Sequence, residues 1–253
     1  MRKYILIGAS LCLSLFSYAQ KAVDFKLNPK VGKPLTTVLT IKTDVDGPQS
    51  VIMDMGMKMS LTATKHENNV FTMESVVKGI KMDVNTGANT IHFNSEEEPA
   101  DEMSKMLATQ FSQVLGKTFS MNLSQKGKVI DFTLPEGLDE GMDSETFGNI
   151  TTPLPDEAVA VGATWKNEVQ MAEHPFLSRT ETVSTFKAET PQGYVIDVLG
   201  KLYDTSDKQI GEIVGSYTLD KQSFLTKEGT VKTTIEVQGA KVISDVKIGV
   251  IED

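Results

Sequence analysis

Three scarcities shape the reading: one cysteine, one tryptophan and three histidines in 253 residues. The cysteine, Cys12, lies inside an apolar N-terminal run, so the chain beyond it has no thiol. Disulfides, thiolate nucleophiles and cysteine-ligated metals are excluded there together. Leu11 precedes Cys12 where lipoprotein processing calls for a small residue, so lipidation is not expected. The histidines, His66 in an expected turn, His92 on a short strand and His174 before Pro175, have no nucleophile-plus-base pattern around them. No Gly-rich phosphate loop, HExxH or GxSxG occurs. The acidic groups Glu96–Glu98 and Asp139–Glu145 lack the D-x-D-x-D-G alternation that aims several oxygens at one calcium ion, and read as solvated loops. The expectation is a protein that is not an enzyme and needs no cofactor.

Long apolar runs are missing after residue 16. Arg2 and Lys3 precede "YILIGASLCLSLF" (Tyr4 to Phe16), and "SYA" (Ser17 to Ala19) supplies the small residues a signal peptidase reads. The thirteen residues from Tyr4 to Phe16 fall short of the roughly 20 that span a bilayer. Residues 1–19 therefore read as a signal peptide cleaved between Ala19 and Gln20. The expected product is a single β-rich domain over 20–253, periplasmic or extracellular, without a transmembrane segment. Cationic residues are also few. The chain has 25 basic and 34 acidic side chains, a net charge of −9, and losing Arg2 and Lys3 leaves −11. Such a chain repels phosphate backbones, so nucleic acid is not an expected partner.

What the sequence has in quantity is period-2 alternation, the mark of half-buried strands. Leu35, Leu39, Ile41 and Val45 share one face. From Val51 to Ala63 every odd position is apolar, and Met53, Met55, Met57 and Met59 occupy four in succession. Val70 to Val84 continues in strand with Gly79 as an expected bulge, and "NTIHF" (Asn89 to Phe93) is a short further strand. The pattern then breaks. Pro99, Asp101 and Glu102 suit a helix start, and Met103, Met106, Leu107, Phe111 and Val114 have helical spacing before Gly116. This predicts one amphipathic helix near 100–115. Lys117 to Leu134 reads as a hairpin turning at Lys126-Gly127. An irregular acidic connection runs from Pro135 to Pro155, and strands fill the chain from Trp165 onward with turns at Thr190–Gly193, Ser206–Lys208, Asp220–Ser223 and Gln238–Ala240. The predicted fold is mainly β: a large curved antiparallel sheet, half-barrel or open barrel, covered by one helix.

"GKVIDF" and "LPDEAVAVGATW" (Leu154 to Trp165) are the most motif-like stretches. Pro155 and Gly162 frame a turn, and Trp165 can seal the end of a core or stack on a ligand. The layout of signal peptide, β-meander, Met-rich helix, these two stretches and a second meander resembles an exported Gram-negative family of unknown function. At the level of fold it is similar to the half-barrels of periplasmic lipoprotein carriers. That resemblance implies acyl chains held between a concave sheet and its helices, and no functional residue is carried over from it.

Methionine thioethers can ligate Cu(I), and this chain also has His92 and Trp165. Same-face residues on a strand lie roughly 6.6 Å apart, however, so four methionines in a row cannot share one ion. Methionine is also a flexible filler of irregular apolar space. The leading expectation is a carrier for a lipophilic ligand, with Met53, Met55, Met57, Met59, Met73, Met82, Met106, Phe111 and Trp165 as contact residues. The alternatives are an envelope structural or protein-interaction module with a solid core and, less favoured, Cu(I) binding. An apolar small molecule or lipid is the expected partner, and a protein partner stays open.

Overall fold

Strand-forming alternation over most of the chain produces twelve strands in one antiparallel sheet, seen in a computed structural model that describes residues 21–48, 50–135, 138, 153–171 and 175–251. The expected signal peptide with its Ala19/Gln20 junction, His174 and the acidic run Asp139–Glu145 lie outside the described residues. The strands are β1 (Pro34–Asp46), β2 (Val51–Glu67), β3 (Val70–Asn85), β4 (Thr90–Asn94), β5 (Thr118–Ser124), β6 (Val129–Thr133), β7 (Thr164–Gln170), β8 (Arg179–Glu189), β9 (Tyr194–Tyr203), β10 (Gln209–Leu219), β11 (Thr226–Val237) and β12 (Ala240–Ile251). Among the described residues there is one helix, α1 (Glu102–Phe111), between β4 and β5. The fold is the mainly-β open half-barrel the alternation predicts.

The sheet order is β6-β5-β3-β2-β1-β12-β11-β10-β9-β8-β7, with β4 also on β3. The chain starts in the middle, walks by hairpins to one edge, crosses to the other edge, and returns until β12 pairs with β1. Hairpin geometry accounts for much of this. Asn68 and Asn69 adopt φ of 51° and 63°, and Gln238 and Gly239 adopt 51° and 79°, the left-handed pairs whose twist suits two-residue β-hairpin turns. His66 is not in a turn but inside β2, where its ring stacks on Phe71 at 3.9 Å. The expected bulge is present: register shifts where Lys58 pairs with Gly79 and Met59 with Val77.

Cross-strand register puts the odd residues of β1 and β2 on the concave side. One continuous row there runs Ile196, Tyr217, Gly229, Ile248, Leu39, Met57, Ile80. The convex side carries charge, as in the row Lys232, Asp245, Lys42, Asp54, Asp83, His92. A membrane barrel has the opposite alternation, apolar outward. No helix among the described residues is long and apolar enough to cross a membrane.

Curvature this strong needs room on the inner face. At Gly215 an added Cβ would lie 2.7 Å from the Thr230 carbonyl oxygen and 2.9 Å from Val231 Cγ2, and at Gly229 it would lie 2.9 Å from Tyr217 Cβ. Glycine lets neighbouring strands close in at these points. Gly215→Ala is expected to lower stability by about 1–3 kcal/mol, because the nearest obstacle is backbone and cannot rotate away. Gly56, whose Cβ would meet nothing within 4 Å, is the control. Denaturant unfolding of the two variants side by side tests this, and equal midpoints would remove the curvature argument.

One end of the half-barrel is plugged. Residues 21–33 run as a strap across it: Val23 and Val159 exchange backbone hydrogen bonds of 2.8 and 3.0 Å, the Leu27 N–H donates to the Gln125 carbonyl, and the Asn28 N–H to that of Ser223. Phe25, fully buried at the centre, contacts Phe186, Tyr194 and Phe224 with ring centroids 5.1, 5.3 and 5.7 Å away. The second core lies under α1 and β4, around Val77, Ile80, Met82, Phe93 and Phe119.

Candidate functional site

Between the plug and α1 the concave face bounds a cavity of about 850 Å³, partly open to solvent. This is within the roughly 300–1,000 Å³ range of small-molecule sites. Its wall is built from inward-facing residues of the central strands: Leu35, Thr37 and Leu39 from β1, Met55, Met57, Met59 and Leu61 from β2, and Val246 and Ile248 from β12. The plug contributes Leu27, Leu154 and Phe224, and the end of α1 contributes Phe111, with Val114 just beyond. Among the described residues, not one Asp, Glu, Lys, Arg or His lines it. Its polar members are Thr37, Ser75, Thr226, Tyr217, Gln110 and Gln113.

Of the contact residues expected from sequence, Met55, Met57, Met59, Met73 and Phe111 line this cavity together, whereas Met53, Met82, Met106 and Trp165 do not. Met53 and Met82 pack beneath the helix with Val84, Phe93 and Leu107. Trp165 belongs to the plug, 6.3 Å from the Phe25 ring, and its indole N–H donates to the Pro153 carbonyl at 3.0 Å.

Met106 is 51% exposed and Met103 44%, so the helix does not present the Met103 to Phe111 face to the sheet. Its inward stripe is Ser104, Leu107, Ala108 and Phe111. Ser104 takes the seat that sequence spacing assigned to methionine, because its hydroxyl has partners there. It lies 2.8 Å from both the His92 carbonyl and the Asp101 carboxylate, while the Ser104 backbone N–H donates to Asp101 at 2.7 Å as an N-cap. Those bonds, the backbone one first, hold the Asp101 carboxyl below its ordinary pKa.

The Cu(I) arrangement is not assembled. His92 lies on the convex face, its Nδ1 2.6 Å from Asp83, and this hydrogen bond raises the imidazole pKa above its usual value. The methionine row faces the other way, and Trp165 is in the plug. Among the described residues no group of three His, Cys, Asp or Glu side chains is placed to hold a metal ion.

Sequence reasoning missed the contributions of β11, β12 and the strap. Val231, Val246, Ile248 and Leu27 reach the cavity only because β12 closes on β1 and residues 21–33 cross the open end, neither of which leaves a local pattern.

Residues 68–145, from the start of β3 through β6 and beyond, match a family of unknown function (DUF6263). No curated protein matches the chain. Among solved structures, lipovitellin, in a structure titled for its lipid-protein interactions, is similar over 89% of this chain at 10% identity with a TM-score of 0.51; this chain spans 26% of it. An outer membrane lipoprotein-sorting protein domain from Vibrio parahaemolyticus aligns over 86% of this chain and 87% of its own, at 8% identity and a TM-score of 0.28. An outer membrane channel from Pseudomonas putida F1 aligns over 91% of this chain and 99% of its own, at 8% identity and a TM-score of 0.31.

Proposed function

We propose that the protein is a non-enzymatic binding or carrier module for a lipophilic ligand, held against the concave face by apolar contact. The observation that carries this reading is the cavity of about 850 Å³ whose lining, among the described residues, includes no Asp, Glu, Lys, Arg or His. A wall of Leu, Met, Val, Ile and Phe gives affinity by apolar area, about 0.8 kcal/mol for each methylene removed from water. Methionines at the centre of that wall adapt to more than one ligand shape, since the side chain is unbranched and polarizable. The half-barrel fold shared with part of lipovitellin, a structure concerned with lipid-protein interactions, is compatible with this use. With a signal peptide over residues 1–19, the carrier acts in the periplasm or outside the cell.

Native mass spectrometry of protein purified from its own host tests the reading. The expected result is an apolar adduct that organic extraction removes and that lipid extract restores. Protein that carries no adduct and, after extraction, takes up no lipophilic fluorescent probe would overturn it.

A second reading, an interaction module, draws on an exposed apolar row on the convex face. Val183, Leu199 and Val214 are neighbours on β8, β9 and β10 and are 36%, 60% and 54% exposed. A Leu199→Lys variant that binds probe normally yet fails to support the protein's role in its host would favour this reading over the first.

A further inference from the structure

We infer that the cavity selects an uncharged acyl-chain amphiphile, such as an ester, a fatty alcohol or a glyceride, over a fatty-acid anion or a phosphate-bearing lipid. The inference rests on the carrier reading above and adds the class of headgroup. Three observations converge on it.

Among the described residues the wall offers no cation to an anionic head. Lys126 and Lys128, which flank the lining residue Gly127, are already committed: Lys126 Nζ lies 2.9 Å from both the Asp24 carboxylate and the Phe25 carbonyl, and Lys128 Nζ lies 3.3 Å from Asp156. A carboxylate drawn inside would be desolvated without a partner, which is strongly unfavourable.

The rim carries neutral hydrogen-bonding groups instead. Gln110 and Gln113 are exposed side chains at the end of α1 and both border the cavity. A primary amide donates and accepts, so it suits an ester carbonyl or a hydroxyl as well as water. The remaining polar members among the described lining residues, Thr37, Ser75, Thr226 and Tyr217, carry hydroxyls.

The helix is oriented against an anion. It meets the cavity with its C-terminal end, at Phe111, and its last turn contains no basic residue. That end of a helix carries the partial negative charge of its macrodipole, which repels a carboxylate or phosphate and attracts a hydroxyl proton. The chain's net charge of −9 acts in the same direction.

The test is displacement of the uncharged fluorophore N-phenyl-naphthylamine from extracted full-length mature protein by dodecanol, methyl dodecanoate and dodecanoate at neutral pH. The alcohol and the ester are expected to displace it at concentrations at least about tenfold lower than the carboxylate. In Gln113→Lys, which places a cation on an exposed rim position, the gap should narrow. Dodecanoate competing as well as the neutral ligands overturns the inference while the carrier reading stands. An unchanged gap in Gln113→Lys also overturns it, since the preference would then arise away from this rim. A fluorophore that does not bind at all removes the carrier reading beneath it.

Discussion

Phe25→Ala is expected to cost about 3–5 kcal/mol of stability, a large loss for a residue only six positions beyond the expected cleavage site. Its side chain is fully buried, and four aromatic rings surround it: Phe186, Tyr194, Phe224 and Trp165. Truncation leaves a cavity between groups that cannot collapse inward, because the strap backbone is tied at Val23, Leu27 and Asn28 to three separate parts of the fold. Trp165, the single tryptophan, sits 6.3 Å from Phe25, so its fluorescence reports unfolding from inside the plug. The control is Val31→Ala on the same segment, 52% exposed, which should stay within about 0.5 kcal/mol of the parent. A Phe25→Ala variant as stable as Val31→Ala would mean that the strap rests on the half-barrel without closing it.

The plug also shows where sequence and structure part. Val23, Phe25 and Leu27 alternate, as a strand does, but the alternation is short, follows an apolar N-terminal run and ends at once in the turn signals Asn28-Pro29 and Gly32. Its partners lie about a hundred residues or more away in sequence, at Gln125, Val159 and Ser223. Local pattern reports which way a side chain points relative to its own strand, and for β1, β2, β3 and the hairpins of the second half that was enough. It does not report which strands meet. The pairing of β1 with β12 joins the two ends of the described chain and turns two meanders into one half-barrel, so the cavity wall it completes could not be read from either meander alone.

The helix illustrates a different limit. Its position and start were legible from Asp101, Glu102 and the apolar spacing, but the helix ends at Phe111, short of the stop expected at Gly116, and its rotation was not legible. Spacing alone favours the face with more methionine. The actual inward face holds a polar Ser104, made tolerable by the His92 carbonyl and the Asp101 cap. A buried hydroxyl with its partners supplied by tertiary contact outweighed two methionines, and Met103 and Met106 turned to solvent.

Met57→Glu is the substitution expected to damage ligand binding most, by about a hundredfold or more at neutral pH. Met57 stands at the middle of the wall, paired across β1 with Leu39 and across β3 with Ile80. A carboxylate there has no cation among the described lining residues to pair with, and an acyl chain laid over it would strip its water at a cost of several kcal/mol, each 1.4 kcal/mol being tenfold in affinity. Because the cavity is partly open, the charge can stay hydrated while no ligand is present, so stability should fall by only about 1–3 kcal/mol. The two effects separate further with pH. An apolar surround raises a carboxyl pKa, and below that raised value the group is neutral, so binding should recover on acidification, whereas a misfolded variant would not recover. Met57→Leu keeps the volume and should bind within a few fold of the parent. Met106→Glu, on the exposed face of the helix, should change neither binding nor stability. Probe titration of the three variants across pH reads all of this. A Met57→Glu protein that is folded and binds with parental affinity would mean that the ligand does not touch the methionine row, and that those thioethers serve only to fill the sheet.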